Sequence, residues 1–156
     1  MVRLIITTLF LFSGILLLIA GCGGSSDDSG DTALSDATGI HIEDAWARPG
    51  SEGRMSAAYF IISNFDDETD ILRSVASDVA RNVEIHESYE SEEGMMGMRE
   101  IQNLEIEAGS TVRLEQGGLH VMLIQLTRQL QDGDTFELTL TFENHGEMTI
   151  TVPARL

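Results

Sequence analysis

The sequence predicts an all-β domain, a sandwich or barrel of short strands, and three observations carry that expectation. In Phe136-Glu137-Leu138-Thr139-Leu140-Thr141-Phe142 the apolar residues fall at every second position, so one strand face meets a core and the other meets solvent. Turn-forming groups such as Pro49-Gly50, Ala108-Gly109, Gly117-Gly118, Asp132-Gly133-Asp134 and Asn144-His145-Gly146 break the chain at short intervals. No stretch of the domain sustains the 3.6-residue period of an amphipathic helix, and no repeat of solenoid length appears.

Taken in order, Ile40-His41-Ile42 opens an alternating strand that leads into Asp44-Ala45-Trp46-Ala47-Arg48-Pro49, with Trp46 expected inside the barrel. Ala57-Ala58-Tyr59-Phe60-Ile61-Ile62 reads as a second strand, closed by Asn64 and the acidic turn Asp66-Asp67-Glu68. Residues 71–75 form a third, and 77–81 are expected to make one helical turn. Val83-Glu84-Ile85-His86 is a short alternating strand followed by an acidic loop over 87–93. Residues 104–106 and 111–114 are brief strands, and Gly117-Gly118 then turns the chain into the apolar run 119–126, read as a buried strand. After 136–142, the hairpin partner Met148-Thr149-Ile150-Thr151-Val152 ends the domain, with Met148 on its core side.

The chain has 156 residues, one domain's worth plus a leader. Residues 1–22 read as a targeting segment: Arg3 gives a minimal positive region, 4–20 are almost wholly apolar, and small residues follow. Residues 23–38, a Gly/Ser/Asp stretch without periodicity, read as a disordered tether spanning roughly 20–25 Å r.m.s.. The folded domain is expected over 39–156. All nine cationic side chains are arginine, set against 26 acids, for a formal net charge of -17. Such a surface excludes a nucleic-acid partner held through phosphate contacts, and it attracts cations.

The chemistry lies in His86, Met98, His120 and Met122. His120 and Met122 are two residues apart on one strand and so share a face. His86 lies on the face opposite Val83 and Ile85, the more polar one. Met98 belongs to Met95-Met96-Gly97-Met98, a cluster of thioethers beside glycine that a core has little use for, although a partly exposed hairpin packed on the sandwich would also hold it. Two imidazoles and two thioethers form a soft, neutral donor set, suited to Cu(I) and poor for zinc, calcium or magnesium.

With these residues the chain resembles the periplasmic copper(I) chaperone family associated with assembly of the CuA centre of cytochrome c oxidase. That family shares a motif of His, ten residues, Met, 21 residues and His-x-Met. Here 21 residues separate Met98 from His120, while eleven separate His86 from Met98. One extra residue in the acidic loop accounts for the difference most simply, and leaves Met96 or Met95 as substitutes for Met98. The likeness extends to Asp44-Ala45-Trp46-Ala47-Arg48-Pro49, Ala57-Ala58-Tyr59-Phe60, residues 83–87, Gly117-Gly118-Leu119-His120-Val121-Met122-Leu123 and Thr139-Leu140-Thr141-Phe142-Glu143. It implies a cupredoxin-like Greek-key β-sandwich or barrel and a solvent-near Cu(I) site. By the same likeness the protein would be no enzyme but an extracytoplasmic carrier, whose partner is a copper-accepting membrane oxidase or its assembly factors. Leu18-Ile19-Ala20-Gly21-Cys22 resembles the lipobox of bacterial lipoproteins, which implies a lipidated Cys22 as mature N-terminus and a lipid anchor in the cell envelope, on the periplasmic side or the cell surface.

Rival readings are weaker. A blue-copper electron carrier needs a thiolate on copper, and the single cysteine, Cys22, lies in the leader. No nucleophile elbow or zinc-helix motif supports a hydrolase. Copper storage or tolerance, and a non-metal envelope lipoprotein that binds a protein partner, are the remaining alternatives. His41 and His145, at a strand start and a turn tip, read as bystanders. Met55 reads as packing or as an auxiliary thioether, and Glu87, Glu90, Glu92 and Glu93 as a solvated loop or a cation-attracting rim.

Overall fold

A computed structural model describes residues 38–156; the leader, Cys22 and nearly all of the tether lie outside them. The described residues form one compact unit of ten strands with no helix. In chain order these are β1 (Ile40–Ala47), β2 (Ser56–Asn64), β3 (Asp70–Ala76), β4 (Ala80–Glu90), β5 (Met96–Glu100), β6 (Leu104–Ile106), β7 (Thr111–Leu114), β8 (Leu119–Leu126), β9 (Thr135–Phe142) and β10 (Glu147–Pro153). One sheet has six strands in the order β1-β2-β7-β8-β4-β5, the other four in the order β10-β9-β3-β6. The chain crosses between sheets after β2, β3, β5, β6 and β8, which gives the two-sheet sandwich expected from the sequence.

Alternation builds the core. Phe60 and Ile62 on β2, Leu72 on β3, Val121 and Leu123 on β8, and Leu138 and Leu140 on β9 are almost completely buried between the sheets. Each such side chain contributes about 1.5–3 kcal/mol relative to leaving it exposed. Met148 and Ile150 pack against this core while part of their surface stays open. Two buried polar residues tie loops to it. The Asn64 side-chain amide donates to the carbonyls of Glu68 (2.9 Å) and Ile106 (3.0 Å), and its oxygen accepts the Asp66 N–H. Asp70 accepts the N–H groups of Asn144 (2.9 Å) and His145 (3.0 Å), which fixes the β9–β10 hairpin.

Three expectations are corrected. Residues 77–81 form no helical turn: Asp78 and Val79 make a tight turn, and Ala80 already pairs with Leu126 of β8. Val79 enters the core and its carbonyl accepts the Thr127 N–H, so this segment is held by β8 rather than by its own backbone. The acidic loop is also shorter than expected. β4 runs on through Glu90, paired with β5 in continuous register from His86↔Glu100 to Glu90↔Met96, and only 91–95 remain as loop. Trp46 is not in the core. A bulge between Glu43 and Trp46, with Asp44 at φ 52°, inserts a residue into β1 and reverses which side chains face inward. Ala45 and Ala47 turn to the core, while Trp46 packs outside against Tyr59 (ring centroids 4.6 Å) with the Arg155 guanidinium over its ring.

Candidate metal centre

β8, β4 and β5 lie side by side at one end of the six-stranded sheet. Because Val121 and Leu123 face the core, His120 and Met122 face the outside of the sheet; because Ile85 faces the core, Glu84, His86 and Ser88 face the outside as well. The strand register then brings separate pieces of sequence together. His86 is directly opposite His120, Glu84 opposite Met122, and Ser88 opposite Met98. The two imidazole centroids are 6.0 Å apart with their planes at 56°. Met122 lies diagonally from His86 at a spacing that long side chains bridge.

An open groove of about 570 Å³ lies on this face, lined by Met98, His120, Met122 and Ser88 together with Met55 and Pro49 from the β1–β2 connection. Ser88 is the small residue between β5 and β8, and over it the Met98 thioether reaches the same groove as His120. The double glycine closes the groove's end in a way the sequence does not announce. β7 and β8 both pair with β2, β7 along Phe60–Ser63 and β8 along Ser56–Ala58, so they lie on one edge with an excursion over 115–118 between them. Gly117, at φ 81°, makes that excursion and lines the groove.

Each imidazole is held by a different nitrogen. Nδ1 of His120 is 2.9 Å from the Gly118 carbonyl, which can only accept, so Nδ1 carries the proton and the Nε2 lone pair is left free. The same carbonyl accepts the Ser88 N–H, coupling the ring to the β4 backbone. His86 reaches Glu84 through Nε2 at 2.8 Å, while its Nδ1 is buried without a hydrogen-bond partner. His120 is only 5% exposed, whereas the Met98 side of the groove is open at 57%. The candidate centre thus has largely buried imidazoles on one side and an exposed thioether on the other.

All four sequence-predicted residues are on one face of three adjacent strands; Met98, His120 and Met122 line the groove, while His86 stands beside it, opposite His120, and is not part of its lining. Met96 shares the Met98 face of β5 and is 68% exposed, but it stands opposite Glu90 and does not line the groove. Met55 does line it. His41 bonds the Thr38 carbonyl and packs on Phe65, and His145 packs against Phe142; neither borders the groove. Glu87 is bound to Arg99, so it is not a free acid on the rim. Sequence reasoning overlooked Glu84 and Ser88 as parts of the centre. Both lie two residues from His86, so the same period-two argument that placed His86 would have found them. Among the described residues no cluster of three or more His, Cys, Asp and Glu is placed to hold a metal, which leaves the mixed imidazole–thioether set as the candidate.

Two sheets in this arrangement, with an open His/Met groove on the outer face, define a cupredoxin-like β-sandwich. The family model "Putative lipoprotein LpqE-like" matches residues 40–154, and the chain belongs to this LpqE-like family. It is 31% identical over 144 residues to "Putative lipoprotein Lxx21020" of Leifsonia xyli subsp. xyli, covering 92% of this chain and 86% of the relative. Among solved structures, the copper-bound PCuAC domain from PmoF2 superposes with a TM-score of 0.62 at 29% identity, over 76% of this chain and 95% of that domain. The solution structure of CuI-DR1885 from Deinococcus radiodurans matches with a TM-score of 0.57 at 28% identity, over 83% of this chain and 85% of that one.

Proposed function

We propose that the protein is an extracytoplasmic, lipid-anchored copper(I) chaperone that binds one Cu(I) at His86, Met98, His120 and Met122. It passes the ion to a membrane cuproenzyme, such as the CuA site of cytochrome c oxidase, or to that enzyme's assembly factors. The observation that carries the reading is the facing His86–His120 pair at 6.0 Å, with a buried, unpartnered Nδ1 on one ring and a free Nε2 on the other. A buried lone pair without a donor is costly unless a cation takes it. Two imidazoles and two thioethers match the softness of Cu(I). The likeness to PCuAC domains, one copper-bound, supports the same reading. Delivery is favoured over storage by the open rim: with Met98 more than half exposed, an acceptor's ligand can reach copper and displace one donor at a time.

Anaerobic titration of the domain with Cu(I) against a chromophoric chelator tests this directly. One equivalent should bind in competition with the chelator; no competition, or binding of Zn(II) in preference to Cu(I), overturns it. The anchor is a separate expectation from Ile19-Ala20-Gly21-Cys22 and from membership of a lipoprotein family. Each buried methylene contributes about 0.8 kcal/mol, and stable anchoring needs two signals, as in dual acylation. Intact-mass analysis of the membrane fraction should therefore show an acylated chain beginning at Cys22. An unmodified, soluble protein outside the cytoplasm would refute it.

A further inference from the structure

Resting on the copper reading above, we infer that Glu84 is the positioning residue of the centre. It holds His86 in the Nε2–H tautomer, so that copper meets Nδ1 of His86 and Nε2 of His120.

The Glu84 carboxylate oxygen Oε2 lies 2.8 Å from Nε2 of His86. An ionised carboxylate only accepts, so the ring proton sits on Nε2 and the lone pair of the neutral imidazole is on Nδ1. That Nδ1 is the one buried side-chain nitrogen or oxygen among the described residues without a hydrogen-bond partner. Were Glu84 merely the counter-ion of a doubly protonated ring, Nδ1–H would be a buried donor with no acceptor, an arrangement folded proteins avoid. Across the strands, Glu100 on β5 stands opposite His86 but makes no hydrogen bond to the ring, and His120 presents only its own ring. His120 is fixed the opposite way round, by the Gly118 carbonyl on Nδ1. The chain therefore aims unlike nitrogens of its two histidines by two different acceptors, one a backbone carbonyl and one a charged side chain. The Glu84 carboxylate is engaged by the His86 ring, and a hard oxygen donor is a poor match for Cu(I), so Glu84 acts through His86 and not as a ligand. A carboxylate behind an imidazole fixes its orientation and makes the opposite nitrogen a better donor.

The test uses the metal-free domain, which contains every strand and the whole described core, labelled with ¹⁵N-histidine at alkaline pH where imidazole is neutral. Long-range ¹H–¹⁵N correlation should show His86 protonated at Nε2 and His120 at Nδ1. In Glu84→Leu, His86 should become a tautomer mixture, and anaerobic chelator competition should show Cu(I) affinity lower by roughly 10–100-fold. Glu84→Gln keeps the size and an accepting oxygen; it should retain the tautomer and lose less than about tenfold. Should Leu disturb the fold, Glu84→Ala, for which the same tautomer mixture and loss of affinity are expected, decides the matter. The inference is overturned by a wild-type His86 protonated at Nδ1 or at both nitrogens, by an unchanged tautomer in Glu84→Leu, or by wild-type affinity in that variant. If the wild type fails to bind Cu(I), the copper reading falls by itself, and the tautomer spectra still decide whether Glu84 sets the ring.

Discussion

His120→Ala is expected to lower Cu(I) affinity by roughly 100-fold or more, since loss of a ligand should exceed the 10–100-fold typical of its outer partners. The fold should survive. The Gly118 carbonyl keeps the Ser88 N–H as partner at 3.1 Å, so removing the ring orphans no backbone group. His120 faces away from the core that Val121 and Leu123 fill, and the lost packing is confined to the groove floor. His86→Ala should have a similar effect on affinity, with Glu84 left exposed to solvent on the outer face. Thermal unfolding gives an independent readout. Copper at one hundred times its dissociation constant stabilises the folded state by about 2.7 kcal/mol, several degrees for a domain of this size. The wild type should show that rise with Cu(I), and both histidine variants should lose it while unfolding cooperatively without metal. A histidine variant that still binds like the wild type would show that the facing pair is not the metal site.

Much of this centre is legible in the sequence because strands have period two. His120 and Met122 share a face by counting, and His86 is separated from Val83 and Ile85 by the same count. Sequence alone does not give register. That His86 stands opposite His120, and Ser88 opposite Met98, depends on pairing between segments more than thirty residues apart for the first pair and across a hairpin for the second. Trp46 shows how such counting fails: one inserted residue at Asp44 sends every later side chain of β1 to the other face, and nothing in Glu43-Asp44-Ala45 marks the bulge. The helical turn expected at 77–81 fails for a different reason. Ser77 and Asp78 favour any tight turn, and the tertiary pull of Val79 and Ala80 into the core decides which one forms. The Met95–Met98 cluster is intelligible only once β5 is seen as an edge strand. Gly97 lets the ring of Tyr89, opposite on β4, lie across it; a Cβ there would meet the ring at 2.7 Å and push it aside.

Met98→Leu is expected to weaken Cu(I) binding by roughly tenfold or more, about 1.4 kcal/mol per factor of ten, while Met96→Leu stays within about twofold of the wild type. The difference follows from the hairpin. Its strands pair without interruption from His86↔Glu100 to Glu90↔Met96, so a gap of eleven residues between His86 and Met98 is accommodated in the loop 91–95. A hairpin loop absorbs one residue at small entropic cost, whereas a slip within the paired strands would turn their side chains to the wrong face. Met98 stands opposite Ser88, whose small side chain leaves the way to His120 and Met122 open. Met96 stands opposite Glu90, two residues nearer the tip, outside the groove. Leu conserves volume and hydrophobicity and removes only the sulfur, and both methionines are more than half exposed, so neither change should alter folding. Met96 lies on the Met98 face, so it can supply a thioether when Met98 is gone. The double substitution should accordingly bind more weakly than Met98→Leu alone. Chelator competition on the three variants reads the order directly. If Met96→Leu loses affinity while Met98→Leu does not, the third ligand is Met96 and β5 must shift when copper binds. If all three bind like the wild type, the β5 thioethers are not ligands, and copper, if held here, depends on His86, His120 and Met122.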